Sequence, residues 1–186
     1  PDRKSYYQGA YRFLSGLLEI KAGHMDGAEK ILADMKILHD EMPPYRKQWV
    51  AFYIDFLSAE LALEGGCPER AIAIFKEKSA FRNESMGFYP SGILYNLPVL
   101  KDVVPRAYVR MGDIDKAIAE YERLIVFDPR REERYLIHPK YYYRLAELYE
   151  QKGRKGKAVA HYEKFLNLRQ DADSDLPEVI EAKKRL

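Results

Sequence analysis

The chain has 186 residues, 47% apolar and 32% charged, enough for a substantial core and polar enough throughout to remain in water. Its 31 basic and 29 acidic side chains leave a formal charge of +2, which excludes the strong overall positive field of a dedicated nucleic-acid binder. The apolar residues form no stretch long enough to span a membrane, and the single cysteine, Cys67, excludes an intrachain disulfide and a multi-cysteine metal site.

The first predicted helix runs from about Tyr6 to Lys21, with Tyr7, Ala10, Tyr11, Leu14, Leu17 and Leu18 at helical spacing, and stops near Gly23. Helical pattern is present from Arg3, and the chain opens at Pro1 rather than methionine, so the expectation is a fragment of a longer chain that continues upstream. The second helix, Asp26 to Leu38, carries the stripe Ala28, Ile31, Leu32, Met35 and Leu38 and is stopped by Met42-Pro43-Pro44. Arg46 to Leu63 follows, closed by Gly65-Gly66. Its partner, Pro68 to Lys78, begins on a proline whose missing N–H needs no acceptor in a first turn.

Residues 81–97 read as an irregular loop, in which Asn83, Gly87, Pro90, Gly92 and Asn96 stand among Phe88, Tyr89, Ile93, Leu94 and Tyr95. Aromatics in such a connector are expected to fold back on the helices, or to lie over a groove. Gly112 then separates a helix ending at Arg110 from one starting at Asp113, with the stripe Ile114, Ala117, Ile118, Tyr121, Leu124 and Ile125, ended by Asp128-Pro129. The last pair is Pro139 to Gln151 and Lys155 to Leu168, with Gly153 between them. Ser174 or Asp175 is placed to cap a final helix with Pro177 in its first turn, in which Leu176, Val179, Ile180 and Leu186 are expected to cover the open face of the last hairpin.

One pattern recurs four times: a glycine, an alanine five residues on, and a bulky residue four beyond that, at Gly23/Ala28/Leu32, Gly66/Ala71/Phe75, Gly112/Ala117/Tyr121 and Gly153/Ala158/Tyr162. A glycine ends one helix, a small residue lets the next cross it, and a large one fills the gap a turn later. The fold class expected is all-α: a right-handed superhelical solenoid of about four antiparallel helix-turn-helix hairpins plus a capping helix. It is taken as one domain over 1–186, with repeats at about 9–42, 52–85, 98–131 and 139–172 and the cap at 175–186. The glycines lie 43, 46 and 41 residues apart, longer than the ~34 of a minimal helical-hairpin repeat, the extra length falling between hairpins.

The segments Tyr142-x2-Leu145-Ala146-x2-Tyr149-x3-Gly153-x4-Ala158-x3-Tyr162-x2-Phe165 and Tyr108-x3-Gly112-x4-Ala117-x3-Tyr121-x2-Leu124-x4-Pro129 resemble tetratricopeptide repeats. The repeats around Gly23 and Gly66 keep the small crossing residues Gly16 and Ala59 but have Glu19 and Ala62 where an aromatic is usual. In the third, Pro105 stands at the small position and is expected to kink or shorten its helix. The C-terminal part is similar to the ends of long bacterial tetratricopeptide proteins whose upstream domain supplies an activity, which implies a sensory or regulatory piece.

The resemblance implies that the first helix of each hairpin faces a concave groove. The groove positions are then Phe13, Leu17 and Ile20; Tyr53, Phe56, Glu60 and Leu63; Asp102, Arg106, Val109 and Arg110; and Lys140, Tyr143, Arg144, Glu147 and Glu150. This surface runs from apolar to charged and suits an amphipathic helix, an extended peptide or a neighbouring domain. The apolar half reads equally as core. Lys140 and Arg144 resemble part of the carboxylate clamp of some family members, but Asp102 stands where a lysine or asparagine is wanted. Of the consecutive tyrosines, Tyr142 holds the signature core position and Tyr143 is expected toward the groove.

His24, His39, His138 and His161 fall in separate elements with no metal-ligand spacing, and neither a nucleophile–base pair nor a phosphate-binding glycine loop is present, so neither an enzyme nor a cofactor is expected. The expected function is a protein-interaction or scaffold module with a protein or peptide partner, possession of a lone cysteine fitting a reducing, cytoplasmic setting. A homodimer through the apolar N-terminal half, with Phe13 and Phe56 in contact, is the alternative. Nucleic-acid binding through residues 130–157, with nine basic and four acidic residues and Tyr135, Tyr141 and Tyr143 as stacking rings, is opposed by Asp102, Glu147 and Glu150.

Overall fold

The structure, a computed structural model, describes residues 3–77, 101–126, 137–171 and 175–186. These fall into two compact units, 1–83 and 84–186. Among the described residues all regular structure is helical. The first unit contains α1 (Arg3–Lys21), α2 (Met25–Glu41), α3 (Pro44–Glu64) and α4 (Pro68–Glu77); the second contains α5 (Val103–Arg110), α6 (Ile114–Leu124), α7 (Lys140–Gln151), α8 (Lys155–Asn167) and α9 (Pro177–Arg185). The irregular segment expected at 81–97 lies outside the described residues.

All four turns within hairpins have the same construction. Gly23, Gly66, Gly112 and Gly153 adopt φ of 81°, 82°, 76° and 69°. The next residue's amide reaches back to close the helix: His24 to the Glu19 carbonyl, Cys67 to Ala62, Asp113 to Tyr108 and Arg154 to Tyr149, at 2.8–2.9 Å. A left-handed residue with a backbone bond spanning six residues satisfies the last carbonyls of the first helix while reversing the chain, and glycine adopts that φ without a Cβ clash.

In the first unit α1 packs on α2 and α3, α2 on α3, and α3 on α4. Phe13 stacks on Tyr53 at 5.2 Å between ring centroids, and Phe56 meets Phe52 edge-on at 4.5 Å and Phe75 at 5.4 Å. Each such ring contributes on the order of 2–3 kcal/mol through burial. Gly16 marks the close approach of α1 to α3: a Cβ there would stand 2.7 Å from Leu57 Cδ2. The apolar residues on several faces of α3 therefore serve helices on several sides.

In the second unit the pairs α5/α6 and α7/α8 pack internally, α6 packs on α7, and α9 packs on α8. The core joins Ala117, Ile118 and Tyr121 to Tyr141, Leu145, Ala146 and Tyr149, then to Ala158, Tyr162 and Phe165, and finally to Val179 and Ala182. Pro105 shortens rather than kinks its helix. With α5 starting at Val103, the proline falls in the first turn, where no intrahelical donor is missed.

Two expectations at the C-terminus are corrected. The residue before α9 is Leu176, extended at φ −60° and ψ 124° as a residue preceding proline must be, and neither its side chain nor that of Asp175 forms the cap; Ser174 lies outside the described residues. Val179 and Ala182 are the buried residues of α9, with Leu176 half-buried, whereas Ile180 and Leu186 are exposed. A helix turning about 100° per residue brings 176, 179 and 182 round to the same side and carries 180 away from it.

Candidate interaction surface

Where α5 and α7 begin, the second unit gathers charge around a buried carboxylate. Asp102, just ahead of α5, is 3% exposed and accepts Nε–H of Arg106 at 2.7 Å and the hydroxyl of Tyr121 at 3.4 Å. Burial raises its pKa above the ordinary carboxylate value, while Arg106, then Arg144 and Lys140 of α7, pull the other way. Tyr121 and Tyr141 are held above the usual phenol range, first by burial and next by the Asp102 charge. Two helical hairpins thus meet around one acid and three cations.

The cations of α7 are engaged on its exposed side. Arg144 donates to Glu147 at 2.8 Å and lies 5.9 Å from the Tyr143 ring centroid. Lys140 donates to Glu178 of α9 at 3.1 Å. At the far end of the same two helices, Arg185 donates to Glu150 at 2.9 Å, and Tyr162 of α8 donates to the other Glu150 oxygen at 3.2 Å. First turn meets first turn and last meets last, so α9 runs parallel to α7. Its own amide and Lys140 hold the Glu178 carboxyl below the usual range.

The residues that sequence assigns to the groove divide sharply. Phe13, Leu17, Tyr53 and Phe56 are buried in the first unit, so the packing follows the core reading for all four. Arg106 is half-buried against Asp102, and Arg110 is exposed. Lys140, Arg144 and Glu147 are half-buried on the face that α9 shares.

Tyr143 is buried, 5.8 Å from Tyr162 and 5.3 Å from Phe165 between ring centroids, and desolvation with Glu147 beside it pushes its hydroxyl up to about 12. Of the two, Tyr143 is the one fully enclosed, while Tyr142, expected in the core, is only half-buried. Tyr141 turns toward Tyr121 of α6 and Tyr143 toward α8, which leaves the intervening Tyr142 half-buried beside His161.

The sequence places α9 over the last hairpin, but its pairing with the groove residues Lys140 and Glu150 was not foreseen. Its signal was available: α7 is basic at its start and acidic at its end, and α9 carries Glu178 and Arg185 in the opposite order. On the other side of α7, Tyr149 donates to Glu122 of α6 and stacks on His161 at 5.4 Å and 5°, with Lys157 Nζ 4.8 Å from the ring centroid. Those contacts fix α6, α7 and α8 as a block. Among the described residues no group of three or more His, Cys, Asp or Glu side chains gathers where it could hold a metal ion, and no helix is long and apolar enough to cross a membrane.

Residues 106–130 and 139–171 match the family model for the tetratricopeptide repeat, a fold of protein–protein interaction. No curated protein and no solved structure matches the chain. The matched segments begin in α5 and at the start of α7, each containing a left-handed glycine turn followed by a buried alanine, Ala117 or Ala158, and a buried tyrosine, Tyr121 or Tyr162. The match and the packing together make the hairpins of the second unit similar to tetratricopeptide repeats.

Proposed function

We propose that the chain is a protein-interaction module whose second unit receives an amphipathic helix along α7 and α8. The observation that carries this reading is α9 itself. It lies on that face with Val179 and Ala182 in the core beside Tyr143, Tyr162 and Phe165, and with its charges paired to Lys140 and Glu150. A partner of the same chemistry has a carboxylate in its first turn, small apolar residues three apart, and a cation near its end. The interleaved carboxylates of Asp102, Glu147 and Glu178 oppose a phosphate backbone on the same surface.

An intramolecular helix competes at an effective concentration on the order of millimolar, so the face opens only when α9 is weakened. A synthetic peptide spanning 175–186, titrated into the chain and into Val179→Asp, tests this by NMR. The expected result is saturable shifts at Lys140, Tyr143 and Arg144 in the variant, weakened by Lys140→Glu, and little response in the unsubstituted chain. A folded Val179→Asp variant that leaves the peptide unbound at ~1 mM rules the reading out.

A further inference from the structure

The helix α7 opens on a histidine that serves it only when neutral. The N–H groups of Lys140 and Tyr141 have no acceptor inside the helix, and Pro139 ahead of them has no side chain to cap them. His138 supplies both acceptors. Its ring Nδ1 takes the Lys140 N–H at 3.2 Å, and its carbonyl takes that of Tyr141 at 3.0 Å. A backbone amide can only donate, so Nδ1 bears no proton and the ring hydrogen sits on Nε2.

The surroundings of the ring favour that state. It is half-buried, 6.2 Å from the Tyr141 ring between centroids. Burial lowers its pKa from 6.5, and Arg169, just past α8, and Lys140 lower it further. Among the described residues these two cations are the charges that bear on the ring, Lys140 being engaged by Glu178 of α9. A proton on Nδ1 turns the acceptor into a donor aimed at another donor, and adds positive charge where the helix dipole is already positive.

This turn also holds α9. Lys140, whose amide His138 caps, donates Nζ–H to Glu178 in the first turn of α9 at 3.1 Å, and Val179 and Ala182 are the residues that α9 buries beside that pair. We infer that His138 is a proton-operated latch on α9: its neutral ring fixes the first turn of α7, and mild acid releases that turn, the Lys140–Glu178 pair and the start of α9 together. The latch is closed above about pH 6.5 and opens as pH falls through the lowered value. On the reading that α7 and α8 receive a partner helix, on which this consequence rests, acid is the signal that bares their face.

Amide exchange read by NMR between about pH 7.5 and 5.5, expressed as protection relative to an unstructured peptide, tests this. In the unsubstituted chain, protection at Val179 and Ala182 is expected to fall on the order of tenfold, the effect of losing one cap. His138→Asn keeps an acceptor that does not titrate, and its protection is expected to stay level. His161→Gln and Asp102→Asn, which remove two other groups of this unit with shifted titration, are expected to keep the fall. Exchange asks what holds α9 and the peptide titration asks what replaces it, so each fails separately. Level protection in the unsubstituted chain, an equal fall in His138→Asn, or loss of the fall in either control overturns the inference. So does a His138 ring that protonates above pH 6.5, or a fall of the same size at Ala117 and Ile118 of α6, which marks unfolding of the whole unit.

Discussion

Asp102 accepts the Nε–H of Arg106 at 2.7 Å, one helical turn ahead of it, and does so almost without solvent. Its burial favours the protonated acid over the carboxylate, so its pKa is raised from 3.8. The folded chain then holds a proton more readily than the unfolded one. The stability linked to this group is present below about pH 3.8 and is lost as pH rises through the raised value. Asp102→Asn removes that dependence while keeping an acceptor for Arg106. Urea melts at about pH 4 and pH 7 are expected to show the unsubstituted chain gaining on the variant as pH falls; a constant difference contradicts the assignment.

The turn glycines and the helical glycine of the last hairpin respond to alanine in opposite senses. At Gly153, φ is 69°, and alanine there is strained by about 1–2 kcal/mol. Gly156 lies in the first turn of α8, and a Cβ there meets nothing within 4 Å. Gly156→Ala is therefore expected to raise stability by about 0.5 kcal/mol through helix propensity. Thermal melts of the two variants are expected to move to opposite sides of the unsubstituted chain.

Tyr141 and Tyr121 face each other at 6.1 Å, yet their hydroxyls differ. Tyr121 donates to Asp102, whereas the buried Tyr141 hydroxyl has no hydrogen-bond partner among the described residues. Tyr141→Phe removes a desolvated donor and keeps the ring, and is expected to be neutral or stabilising by up to ~1 kcal/mol. Tyr121→Phe takes a donor from a buried acid and is expected to destabilise by about 1 kcal/mol. Chemical denaturation of both variants checks the contrast.

The glycines, alanines and tyrosines of the hairpins made the helical fold legible because they act locally: a left-handed turn and a close crossing each require particular residues at fixed spacing. Gly16 against Leu57 is such a requirement, visible even in a repeat whose aromatic is missing. The site was less legible because burial depends on neighbours that periodicity does not name. Tyr142 and Tyr143 differ by one position, and only the placement of α6 and α8 decides which is enclosed. Likewise Phe13 and Tyr11 are both aromatic on α1, but α3 covers one and leaves the other in water.

His161 supplies a pH dependence of the opposite sign to that of Asp102. Its ring is half-buried on Tyr149, and burial, with Lys157 adding to it against the pull of Glu122, lowers its pKa from 6.5. The unfolded chain therefore takes the proton first. Stability from the neutral ring is present above about pH 6.5 and is lost as pH falls through the lowered value. His161→Gln is expected to flatten the decline in melting temperature between about pH 7 and pH 5. An NMR titration that finds His161 protonating above pH 6.5 contradicts the assignment.

Lys140 and Glu178 offer the most direct test of how α9 is held. Both side chains keep about a third of their surface in water, so the ion pair contributes modestly, about 0.3–1 kcal/mol. Reversing either charge alone does more than remove it: Lys140→Glu sets two carboxylates together near Asp102, and Glu178→Lys puts a cation at the start of a helix, where its dipole opposes it. Each single variant is expected to loosen α9, read as faster amide exchange at Val179 and Ala182. The double reversal restores the attraction but keeps the unfavourable helix end, so recovery is expected to be partial, and the coupling to shrink with added salt. Additive effects in this cycle indicate that burial of Val179 and Ala182 alone fixes the helix. Full recovery indicates that the pair outweighs the dipole.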